Sequence, residues 1–141
     1  MTITTCIFDA YGTLFDVDAA ARNVAKEPGQ AQLAAVWGTL SQDWRTKQLE
    51  YSWLRAIAGR HIPFWQVTQD ALDWAMENNG LADNALRAKL LSVYKECPAF
   101  PEVADILKAL KEKGMNVAIL SNGSPDMLVS AVRSAGIGEY L

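Results

Sequence analysis

The sequence predicts an α/β protein, a parallel sheet whose first two strands are separated by a long helical insertion. Residues 3–8 and 116–120 are short, mostly β-branched and apolar runs, a pattern that fits strands buried inside a parallel sheet. Each run ends in a polar, glycine-containing turn, Asp9-Ala10-Tyr11-Gly12 after the first and Ser121-Asn122-Gly123 after the second. Between them, apolar residues recur at helical spacing. A helical connection leaves two parallel strands pointing the same way, so both turns are expected at one edge of the sheet. Open α/β sheets place their chemistry at that edge.

The elements follow in order. After the Asp9 turn, Asp16 and Asp18 are candidate caps for a helix through about Lys26, ended by Pro28-Gly29. Residues 30–57 carry a long helical pattern through Leu33, Val36, Trp37, Leu40, Trp44, Tyr51 and Leu54, which Gly38 is a candidate to bend or break. Gly59 closes it, and Pro63 starts a helix through about Asn78. Asn78-Asn79-Gly80 is a carboxyl-terminal stop, and Asp83 caps a further helix to about Lys95. All five tryptophans lie between residues 37 and 74, a spacing that reads first as bundle core, with a few rings available to wall a pocket. Cys97-Pro98-Ala99-Phe100-Pro101 breaks the helical run and returns the chain to the sheet. Residues 102–113 form an amphipathic helix with Val103, Ile106, Leu107 and Leu110 on one face, stopped by Gly114. After the second strand, Ser124-Pro125 opens a last helix that ends at Gly136.

Composition bounds the function. A chain of 141 residues suggests one domain, or a small core with an inserted piece. A formal charge of -3 without a basic cluster argues against nucleic acid as the main partner and favours a small substrate. The apolar runs are too short to cross a bilayer, and the start lacks a basic secretory signal, so a cytoplasmic protein without membrane association is expected. Cys6 and Cys97 lie far apart without metal-ligand spacing and read as buried free thiols. His61, the single histidine, reads as a surface or packing residue.

Asp9 is the first candidate nucleophile, with Gly12 permitting a tight turn that brings backbone amides round toward the carboxylate. Ser121 could hydrogen-bond a carboxylate, and Asn122 could donate its amide to an anion near the start of the Ser124 helix. The same residues also suit a turn and a helix cap with no further role.

Three motifs carry a resemblance. Asp9-Ala10-Tyr11-Gly12-Thr13-Leu14-Phe15, then Trp44-Arg45 with residues 47–55, then Ile119-Leu120-Ser121-Asn122-Gly123, are together similar to the (S)-2-haloacid dehalogenases of the haloacid dehalogenase superfamily. The resemblance spans nearly the whole chain. It implies a Rossmann-like parallel-sheet core, of which residues 1–15 and 98–141 form the amino-terminal part, and an inserted α-helical cap at residues 16–97. It implies hydrolysis of (S)-2-haloalkanoic acids to (R)-2-hydroxy acids and halide through an ester on Asp9, without metal or other cofactor. Arg45 and Asn122 are then the halide site, Ser121, Thr13, Tyr11 and the amides after Asp9 meet the substrate carboxylate, and Leu49 and Phe64 shape the pocket with Tyr11. A homodimer is compatible with the resemblance, with the aromatic-rich helices as its apolar interface.

Two alternatives stand beside this reading. Most of the superfamily resembles phosphatases with Asp-x-Asp, in which the second carboxylate protonates the leaving alcohol and magnesium neutralises the phosphate. Tyr11 occupies that second position here, and halide leaves without a proton, so position 11 favours carbon-halogen chemistry. The other alternative is an inactive remnant or an interaction module. The resembled family continues through a third strand with a lysine and a fourth with a serine, an asparagine and an aspartate near the water site. None has a counterpart here, so a chain truncated at its carboxyl end is expected, with an unpaired apolar sheet edge, a tendency to associate and little turnover.

Overall fold

In a computed structural model, which describes residues 3–141, the chain runs β1 (Thr5–Phe8), α1 (Ala19–Val24), α2 (Ala31–Ile57), α3 (Phe64–Asn78), α4 (Asn84–Lys95), α5 (Val103–Glu112), β2 (Asn116–Ile119), α6 (Pro125–Ala135) and a final 3-10 turn at Gly138–Tyr140. It divides into two compact units. One joins the described residues up to Asp16 with Glu96–Leu141, and the other is Val17–Lys95.

In the first unit β1 and β2 pair in parallel, with Thr5 opposite Asn116 and Phe8 opposite Ile119. The amide of Asn116 reaches the Thr4 carbonyl at 2.8 Å and that of Leu120 reaches the Phe8 carbonyl at 2.9 Å, so the ladder frames both strand ends. Helix α5 packs on β2 through buried Val103 and Leu107. Helix α6 starts at Pro125 in its first turn, and its carboxyl end is closed by Gly136 at φ 66°, a left-handed conformation that suits glycine.

The expectation of strands buried on both faces fails, while that of an unpaired apolar sheet edge holds among the described residues. Val117 is the one fully buried residue of the pair, while Ile7 is 64% exposed and Ile3 and Leu120 are also open to solvent. A parallel strand is buried only when neighbouring strands and helices cover both its faces. Among the described residues β1 has one strand neighbour, β2. Ile106, expected on the inner face of α5 with Val103 and Leu107, is exposed. Cys97 is buried as expected, whereas Cys6 on β1 is only partly covered.

The second unit is a helical bundle in which α2 packs along α3, and α1 packs on α2 and α4. Leu33, Leu40, Leu72 and Leu90 are fully buried at its centre. Trp44 stacks on Tyr94 with ring centroids 4.8 Å apart. The Asp43 carboxylate accepts from the side-chain amides of Asn78 and Asn79, both at 2.8 Å, tying α2 to the end of α3. An Asp73–Arg87 ion pair joins α3 to α4.

Several local expectations are also corrected. Helix α1 ends at Val24, and Asp18 stands at its amino-terminal cap position without a capping bond, because its carboxylate instead accepts from the Ser41 hydroxyl of α2. Gly38 does not break α2, which runs uninterrupted through it from Ala31 to Ile57. Toward its carboxyl end α2 turns apolar residues outward: Trp53, Leu54 and Ile57 are all at least 60% exposed. The tryptophan cluster is therefore only partly core. Asp83 behaves as expected, its carboxylate accepting from the amides of Ala85 at 2.8 Å and Leu86 at 3.0 Å.

Candidate active site

Asp9 follows directly on β1, and Ser121 follows Leu120 at the end of β2. The parallel register of Phe8 with Ile119 brings both strand ends to the same edge of the sheet. The Asp9 carboxylate is exposed and accepts the Thr13 hydroxyl at 3.0 Å. Thr13 has one hydroxyl proton, so in this arrangement it orients the carboxylate.

Gly12, at φ 90°, makes the turn that allows this contact. The turn also closes on itself: the amides of Leu14 and Phe15 reach the Ala10 carbonyl at 2.8 and 2.9 Å, and that of Gly12 reaches the Phe15 carbonyl at 2.9 Å. The amides from Gly12 to Phe15 thus donate within the loop, contrary to the expectation that Gly12 would turn them toward the carboxylate. The Asp16 amide then donates to Pro98, and the Phe100 amide to Leu14, pinning the loop to the returning chain.

Tyr11 is buried beneath the turn, 3% exposed, with its ring centroid 5.8 Å from that of Phe15. Burial, reinforced by Cys97, raises its phenol well above the usual tyrosine range, so the ring is neutral and a very weak acid at ordinary pH. Gly123 lies against it. A Cβ at position 123 would stand 2.8 Å from Tyr11 Cε2, so the glycine is what lets the ring approach the β2 turn. Ser121 is half-buried, and its Oγ accepts the Gly123 amide at 3.1 Å, whereas Asn122 is exposed.

Arg45, Leu49 and Phe64 belong to the second unit. Arg45 and Leu49 are half-buried on α2, and Phe64 is buried in the first turn of α3. Arg45 Nη1 donates to Gln48 Oε1 at 2.8 Å, and the side chain borders a small cavity of about 10 Å³ with Val17, Ser41, Trp44, Gln48 and Tyr94, room for one water-sized guest. Gln48, Thr68 and Tyr94, which meet beside Arg45, are not singled out by the sequence. The one hint is that Gln48 lies three residues after Arg45 on a helix. His61 is exposed. Among the described residues no three His, Cys, Asp or Glu side chains group so as to hold a metal ion, and no helix is long and apolar enough to cross a membrane.

A sequence model of the haloacid dehalogenase-like hydrolases matches residues 3–141. The chain belongs to that family. Within it, the (S)-2-haloacid dehalogenase 1 of Pseudomonas sp. strain CBS-3 is 44% identical over 140 residues, which are 99% of this chain and 60% of that protein. A dehalogenase crystal structure superposes with a TM-score of 0.91 at 42% identity, covering 99% of this chain and 60% of the other. The L-2-haloacid dehalogenase of Xanthobacter autotrophicus, solved with chloropropionic acid covalently bound, gives a TM-score of 0.83 at 39% identity and covers 99% of this chain and 55% of its own. This member of the family therefore spans roughly 60% of the length of the relatives it matches.

Proposed function

We propose that the Asp9 carboxylate attacks C2 of an (S)-2-haloalkanoic acid from behind the halogen. A C–O bond forms, the carbon–halogen bond breaks, and the halide leaves with the electron pair, so the step moves no proton. Water then attacks the carbonyl carbon of the resulting ester, releasing an (R)-2-hydroxy acid and restoring Asp9. Arg45 and Asn122 receive the halide. Ser121, Thr13 and Tyr11 meet the substrate carboxylate, Thr13 by turning to it the hydroxyl proton it otherwise gives Asp9, while Leu49, Phe64 and the Tyr11 ring supply apolar walls. Residues 1–15 and 98–141 act as core and 16–97 as cap, in a cytoplasmic enzyme that pairs as a homodimer through the outward-facing end of α2.

The observation that carries this reading is Tyr11. An alkoxide leaving a phosphate ester needs an acid, and the second residue after Asp9 is a buried phenol with its proton held well above the usual range. Such a group suits a reaction whose leaving group departs unprotonated. The names of the relatives point the same way.

The test is chloride release from (S)-2-chloropropionate, with EDTA present. Release of the first equivalent, with little further turnover, is expected from the 141-residue chain, absent from Asp9→Ala and slowed about a hundredfold in Arg45→Ala, as for loss of one charge-stabilising donor. Magnesium-dependent hydrolysis of a phosphate ester, with no chloride released, would instead make the protein a phosphatase.

A further inference from the structure

We propose that Thr68 on α3, acting through Gln48, fixes the direction in which the Arg45 guanidinium points. Thr68 Oγ1 lies 2.8 Å from the Phe64 carbonyl, which can only accept, so the single Thr68 hydroxyl proton goes there. The Thr68 oxygen must then accept from Gln48, whose Nε2 stands 2.7 Å away. The second proton on Nε2 faces Tyr94 Oη at 3.1 Å. With both amide protons directed at Thr68 and Tyr94, Gln48 Oε1 is turned toward Arg45 Nη1 at 2.8 Å. Reversing the Gln48 amide would set an NH2 against the guanidinium and leave Thr68 facing an oxygen it cannot donate to.

The arrangement is held rigidly. Gln48 is 1% exposed and Thr68 fully buried, where a polar group left without a partner is costly. Trp44 Nε1 donates to the Thr68 carbonyl at 2.8 Å, fixing the α3 backbone against α2. Gln48 and Thr68 are thus positioning residues: neither needs to touch a substrate to decide where the positive charge of Arg45 lies.

The catalytic meaning rests on the reading of Arg45 as the halide site, but the positioning itself can be read without activity. In nitrogen-15 spectra of the 141-residue chain, the Nη protons of a held guanidinium rotate slowly and resolve. Gln48→Met, which keeps length without an acceptor, and Thr68→Val, which frees the amide to turn, are each expected to collapse the Arg45 signals. Thr68→Ser, which keeps the hydroxyl, should retain them. Circular dichroism identifies a variant that has unfolded, and the Met and Val variants act at different residues, so either one suffices. Resolved Arg45 signals in a folded Gln48→Met or Thr68→Val chain would overturn the proposal.

In the chloride-release assay, the Met and Val variants are expected to slow the first-turnover release of chloride at least about tenfold with substrate affinity little changed, since the halide charge develops only as the bond breaks. An unchanged first-turnover rate in a folded variant, where Arg45→Ala slows release about a hundredfold, would also overturn it. If Arg45→Ala leaves release unchanged, the halide reading fails, while the spectra still decide whether Thr68 and Gln48 hold the guanidinium.

Discussion

A single methyl group at position 123 probes how closely the site is packed. The Cβ of Gly123→Ala would fall 2.8 Å from Tyr11 Cε2, and the buried ring has little room to retreat. The substitution should cost about 1–3 kcal/mol, as for other overpacked positions. Urea unfolding measures it, and an unchanged midpoint would mean that the ring is not held against the β2 turn. A second prediction concerns Cys97. Burial, with a smaller push from Asp16, raises its thiol to about 12 in the folded chain, against about 8.5 in an unfolded one. The folded state therefore keeps a proton that the unfolded state releases. The stability this gives is fully present below about pH 8.5 and is lost as pH rises toward 12, by up to about 1.4 kcal/mol per unit. Urea midpoints should fall between pH 9 and 11, and fall less steeply in Cys97→Ala. Equal slopes would remove the thiol as the cause.

At the scale of elements, α2 carries the prediction about association. Trp53, Leu54 and Ile57 are 60%, 61% and 85% exposed and lie within little more than one helical turn, an apolar surface of the kind that marks an interface. If the proposed homodimer forms through this surface, Leu54→Glu with Ile57→Glu should convert it to a monomer in sedimentation equilibrium. Association that survives this change but disappears in Ile7→Lys would belong to the open β1 edge instead, since an uncovered strand also recruits partners. The same elements show how far the sequence could be read. Helices α2 to α6 were legible because their signals are local: a 3.6-residue period, Asp83 as a cap, glycines as stops. The open state of β1 was not legible in the strand's own apolar residues, only in the resemblance, which implies further strands beside it. Asp9 with Ser121 and Asn122 was legible from strand direction alone. The network beside Arg45 was not, since Gln48 meets Thr68 and Tyr94 across 20 and 46 residues of chain. Asp18 likewise looked like a cap because its tertiary partner, Ser41, lies on another helix.

For the molecule as a whole, the two units carry different parts of the proposed chemistry. The first holds Asp9 with its orienting Thr13, buried Tyr11 and the Ser121-Asn122 turn, and the second holds Arg45 in its polar network. Displacement of halide by Asp9 requires only that carboxylate, an acceptor for the halide and a leaving group that needs no proton. Hydrolysis of the ester is a separate step, so the first can be observed even where the second is slow. The most direct test of the account is therefore to incubate the chain with (S)-2-chloropropionate and map the products by peptide mass spectrometry, with chloride measured in parallel. An ester joining the Asp9 carboxylate to C2 of the propionate skeleton, formed together with chloride and absent from Asp9→Asn, is the predicted result. Chloride release with Asp9 unmodified at every time point, or an ester on another carboxylate in place of Asp9, would contradict it.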